Sequence, residues 1–143
     1  MTLGESVTGT SVVDVVAPVL VGLVYIALAS ALPEPARQRV NALMVAGAAY
    51  ISGGGFGLWE LAFTTVVTVC AYRGLTNYAW LGVGWLLHTA WDIVHHLQGS
   101  PIIPELALSS FGCALCDPVI AVWLFLGAPS VYGRFSTRSG HRT

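Results

Sequence analysis

The sequence contains no lysine, and its basic residues are Arg37, Arg39, Arg73, Arg134, Arg138 and Arg142. Six scattered arginines build no basic stripe, so nucleic acid is excluded as a partner. Charge of either sign is scarce: 9% of residues are charged, against about 25% in a soluble domain. So few charges cannot coat a water-soluble globule of 143 residues. Three cysteines, two of them spaced C-x2-C, make no secreted disulfide framework. A basic leader is missing too. The stretch that leads into the first apolar run carries Glu5 and Asp14 and no basic residue, so Ala29-Ser30-Ala31 is not read as a signal-peptide cleavage site.

What the chain has is apolar sequence, 55% of its residues, with a mean hydropathy of +0.73. A lipid-facing surface must be apolar, and about 20 such residues span the hydrocarbon as a helix. The expected fold is therefore all-α, a polytopic transmembrane helical bundle of about five helices. It forms one domain over residues 1–132, followed by a polar, disordered tail at 133–143.

Residues 12–32 read as a retained first helix, with Pro18 in an early turn. Pro33-Glu34-Pro35 then marks a loop. Residues 41–71 are too long for one span and contain Ser52-Gly53-Gly54-Gly55. Each glycine costs a helix roughly 1 kcal/mol relative to alanine. The run is therefore divided into short helices at 41–51 and 58–72, joined at the glycine-rich turn, with one broken span as the alternative. A fourth helix is expected over Tyr78–Leu97, and a fifth over 107–126. In this threading every arginine falls on one side, which the charge rule makes cytoplasmic. The protein then lies in the cell membrane as a multi-pass chain, N-terminus outside and C-terminus inside. Membrane lipid is its expected partner, and a homo-oligomer is left open.

Ionisable residues inside a span cost about 3 kcal/mol on insertion scales and are functional candidates by default. The fourth helix carries His88, Asp92, His95 and His96. At about 100° per residue, Asp92 lies about 40° from His88, His95 about 20° the other way, and His96 about 80° round. Cys113, Cys116 and Asp117 share a face of the fifth helix. All these residues fall in the outer half of their helices, and Glu60 enters the third helix at the same end. Imidazole, thiolate and carboxylate are ligands for zinc and other divalent transition metals. A metal site formed by His88, Asp92, His95, His96, Cys113, Cys116 and Asp117 is one expectation, with Glu60 a further intramembrane polar group. No H-E-x-x-H signature accompanies them. The competing expectation is a hydrogen-bonded network that fastens helices together. For Cys113 and Cys116 that means small packing residues rather than a redox pair. Trp59 and Trp80 suit interfacial belts, while Trp85 and Trp91 sit deeper, packed in the bundle or lining a cavity.

From Asn41 to Val131 the sequence resembles a family of uncharacterised bacterial integral membrane proteins, domain of unknown function 6010. The residues carrying this are Ser52-Gly53-Gly54-Gly55, Trp59-Glu60, Cys70-Ala71-Tyr72-Arg73-Gly74-Leu75, Gly84-Trp85-Leu86-Leu87-His88-Thr89-Ala90-Trp91-Asp92, His95-His96, Pro101-Ile102-Ile103-Pro104, Cys113 and Cys116-Asp117-Pro118. The resemblance implies a membrane protein and supplies no activity. Three functional readings follow. One is an enzyme or metal site acting in the outer leaflet. The second is a proton or metal-ion transporter, for which few polar residues continue to the cytoplasmic half. The third is a structural or accessory subunit.

Overall fold

Ser11 and Asp14 define the start of the first helix. Ser11 Oγ accepts from the Asp14 backbone N–H (3.3 Å) and Asp14 Oδ2 accepts from the Ser11 backbone N–H (2.8 Å), a reciprocal capping box. The computed structural model describes residues 10–47 and 55–133, which hold five helices and no strand. They are α1 (Val12–Ser30), α2 (Ala36–Gly47), α3 (Leu58–Gly74), α4 (Tyr78–Leu97) and α5 (Ser109–Phe125). The stretch 48–54, with Ser52-Gly53-Gly54 and the expected end of the second helix, lies outside the described residues. So do residues 1–9 with Glu5, and the tail from Arg134 onward.

The largest departure from expectation is the start of α2 at Ala36 rather than Asn41. The polar run Arg37-Gln38-Arg39 is helix, because its side chains satisfy the ends of three other helices. The Arg37 guanidinium donates to the carbonyls of Ser30 (3.2 Å), Leu32 (2.8 Å) and Ala128 (2.9 Å). These carbonyls lie at or just beyond the ends of α1 and α5, where intrahelical donors run out. Gln38 Nε2 donates to the carbonyl of Gly74 at the end of α3 (2.8 Å). Tyr78 Oη, opening α4, donates to Glu34 Oε1 (2.7 Å). The ends of α1, α3 and α5 thus meet the starts of α2 and α4, and the helices alternate in direction. Arg37, Arg39 and Arg73 all lie at this arginine end.

α4 packs most extensively on α5, and α5 also carries α1, while α3 bridges α2 and α4. Near the arginine end the interior is mostly apolar, with Leu81, Ala121 and Leu124 wholly buried, and Ser30 and Asn41 are the buried polar residues there. Towards the opposite end it becomes polar, with Glu60, His88, Asp92, His95 and Asp117 all buried. The outside reverses this. Val12, Leu20, Val24 and Leu28 of α1, Leu58 and Val66 of α3 and Val122 of α5 are exposed. Among the described residues one helix, Val12–Ser30, is long and apolar enough to cross a membrane, at mean hydropathy 2.4. Ser109–Phe125 is a shorter apolar helix.

A candidate site of buried polar side chains inside the bundle

Gly84 determines how near α2 comes to α4, since a side chain there would collide with Val45. One turn further along α4, His88 uses that approach. Its Nε2 lies 2.8 Å from the Val45 carbonyl oxygen. A carbonyl only accepts, so Nε2 carries the hydrogen and the neutral ring keeps Nδ1 as an acceptor. The ring stands edge-on to Phe63, with centroids 5.2 Å apart.

His88 lines a partly open cavity of about 240 Å³ between α1, α2, α4 and α5, whose surface is almost wholly apolar. Asp92, Cys113, Cys116 and Asp117 line it too, so five of the eight residues singled out from the sequence share one space. The Asp117 carboxyl is hydrogen-bonded to that of Asp92. Two carboxylate oxygens cannot donate, so the pair holds a proton between them. Both thiols are free and half-buried. Cys116 Sγ packs where α1 crosses at Gly22, whose missing side chain lets the two helices meet. Cys70 is buried on α3, apart from the other two.

Two aromatic residues stand beside these groups. Tyr25 Oη donates to Asn41 Oδ1 (2.8 Å), and the Asn41 amide is held in turn by the Arg37 carbonyl (2.8 Å). That orientation commits the tyrosine hydrogen to Asn41, leaving its oxygen to accept. Trp85 also lines the cavity. Its indole Nε1–H is buried with no hydrogen-bond partner among the described residues. Native structures rarely leave such a donor unmade.

The remaining three candidates stand elsewhere. His95 Nε2 lies 3.0 Å from Glu60 Oε1, without the alignment of a hydrogen bond. Its Nδ1 lies 3.0 Å from the Ser100 carbonyl oxygen, and Trp91 Nε1 donates to Glu60 Oε2 (3.0 Å). Phe56 closes over the imidazole edge-on, at 4.5 Å between centroids. Both ring nitrogens face oxygen atoms. His96 is half-buried against Phe111. Among the described residues no three His, Cys, Asp or Glu are grouped closely enough to hold a metal ion.

The sequence profile of the family of unknown function DUF6010 matches residues 13–130. The chain belongs to that family. The match starts at residue 13 rather than at Asn41, so α1, which walls the cavity with Tyr25, is part of the family's common sequence. No curated protein and no solved structure matches the chain.

Reading the sequence missed Tyr25 and Asn41. An asparagine at the edge of an apolar run was the available signal, but it also suits a helix start. The separation of His95 from His88 and Asp92 had no local signal. Their small angular spread hides the fact that α3 approaches one stretch of α4, and α5 another.

Proposed function

We propose that this is an integral membrane protein of five spans whose activity resides at the buried polar side chains around the cavity between α1, α2, α4 and α5, an intramembrane site. The observation that carries this is the inverted burial: ionisable side chains inside, large apolar side chains outside. A water-soluble monomer rarely exposes so continuous an apolar surface, whereas lipid requires it. The arginines at one end support a cytoplasmic face there. The N-terminus would then lie outside and the C-terminus in the cytoplasm. Trp59 and Trp80, exposed at opposite ends of the bundle, suit the two interfaces.

Carbonate extraction and reporter fusions test this reading. The chain should stay in the membrane at alkaline pH. A phosphatase active only outside the cell should work when fused after Gly99 and fail after Thr143. Release by carbonate, or the opposite fusion pattern, would refute it.

A second reading is favoured by five donors lining one cavity: a divalent transition metal such as zinc, bound by His88, Asp92, Cys113, Cys116 and Asp117. The side chains would have to draw in around the ion. Stoichiometric metal in the purified protein, lost in His88→Ala and Asp92→Ala, supports it. A metal-free, fully stable protein ends it.

A further inference from the structure

The cavity between α1, α2, α4 and α5 is lined by several polar residues and yet offers a surface of carbon. Their polar atoms are engaged elsewhere. His88 Nε2 donates to the Val45 carbonyl (2.8 Å), Tyr25 Oη donates to Asn41 Oδ1 (2.8 Å), and the Asp92 and Asp117 carboxyls bond to each other. The Trp85 indole nitrogen is buried out of reach. A polar solute finds no partner on such a wall, and apolar cavities stay dry.

The depth of the opening says what lies against it. Val21 and Met44 line the cavity and are 60% and 42% exposed on the outside of α1 and α2. The cavity therefore opens sideways, between two helices that touch only lightly. Val21 is nine residues from either end of Val12–Ser30, about 13 Å at 1.5 Å per residue. That is the centre of a hydrocarbon layer about 30 Å thick. Met44 and His88 stand eight and ten residues from the arginine ends of α2 and α4, about 12 and 15 Å by the same rise. At that depth a bilayer presents only lipid chains. A helix about 10 Å across fills roughly 400 Å³ per turn, so no helix of a partner or a second copy enters about 240 Å³. A single chain does. An apolar cavity of about 150 Å³ takes benzene, so about 240 Å³ takes roughly nine carbons. Left empty, the cavity would deprive its lining of dispersion contacts on one side, and a chain restores them.

We infer that this cavity binds the terminal part of a membrane lipid's acyl chain, which enters from the bilayer centre between α1 and α2, past Val21 and Met44, and packs against Trp85 and Ile120. The inference rests on the membrane reading above. It makes a hydrocarbon chain the class of ligand brought beside His88, Asp92 and the two thiols.

The test uses the full chain in phosphatidylcholine vesicles with a trace of phosphatidylcholine that carries a diazirine near the methyl end of one acyl chain. A second probe carries the diazirine near the carbonyl end. After illumination, peptide mass spectrometry should find the first probe on Trp85 and Ile120, which are 5% and 2% exposed and out of reach of lipid on the outer surface. The second probe should label them about tenfold less, a difference of about 1.4 kcal/mol. Leu20 and Val24, exposed on α1 near the same depth, should take up the first probe and serve as the reference. Met44→Trp and Val21→Trp each narrow the mouth from its exposed side, and should abolish labelling of Trp85 and Ile120 while sparing the reference. A labelled reference with Trp85 and Ile120 unlabelled, equal labelling of those two by both probes, or labelling that survives both tryptophan variants would overturn the inference. The two probes on the wild type decide it alone where a variant fails to fold. Carbonate extraction separates the two failures. A released protein sinks the membrane reading, and a retained one with an unlabelled cavity sinks the acyl chain alone.

Discussion

His95 Nε2 lies 3.0 Å from Glu60 Oε1, tying α4 to α3 at the end remote from the arginines. Both side chains are buried, and the second imidazole nitrogen is engaged by the Ser100 carbonyl. The pair therefore holds α3, α4 and the start of the connection to α5 together.

Removing one partner strands the other. Glu60→Ala leaves His95 and Trp91 without their carboxylate and should destabilise the protein by about 3 kcal/mol. Glu60→Ala combined with His95→Phe should recover part of that loss. Thermal unfolding in detergent of the two singles and the double would measure the coupling. Strictly additive effects would show that the contact contributes nothing.

The shared proton of Asp92 and Asp117 makes a different prediction. Asparagine at either position supplies a hydrogen permanently, so Asp92→Asn or Asp117→Asn should shift stability by less than about 1 kcal/mol. Asp117→Leu, which leaves Asp92 buried without that partner, should cost about 3 kcal/mol. Equal losses in the Asn and Leu variants would refute a shared hydrogen.

Gly84 and His88 act through the same residue of α2. Gly84→Leu drives a side chain into Val45 and should cost about 1–3 kcal/mol by overpacking. It should also pull the Val45 carbonyl from His88. His88→Ala should leave that carbonyl unmet, at about 1–3 kcal/mol. Because both disrupt one contact, the double variant should cost less than the sum. A fully additive double would separate the two roles.

Arg37 serves three carbonyls at once. Arg37→Ala should loosen the ends of α1 and α5 together, by about 2–3 kcal/mol. Arg37→Lys keeps the charge but loses the planar fork, and should recover less than half. Limited proteolysis near Ala128, alongside thermal unfolding, would report both. Rescue by lysine equal to wild type would mean that charge alone matters.

Much of this architecture was legible from local sequence. Apolar runs interrupted by Pro33, the glycine turn, the Arg73-Gly74 break and Pro101 mark five helices, because breakers act on the backbone whatever surrounds them. The boundaries of α2 were not. Arg37 and Gln38 look like loop residues until the carbonyls they satisfy, far along the chain, come into place. The polar character of one half of the interior was also readable, since an ionisable residue in an apolar run is costly wherever it sits.

The sequence by itself determined the helices, the apolar exterior and the residue types available for chemistry, because composition, periodicity and breakers are local properties. Only the tertiary structure decided how those residues divide. It placed Asp92 with Asp117 and His95 with Glu60, and it left the Trp85 indole N–H buried with no acceptor among the described residues. Helical spacing reports which face of one helix a side chain occupies. Which neighbour comes to that face depends on the close crossings at Gly22 and Gly84, and those arise only when all five helices pack.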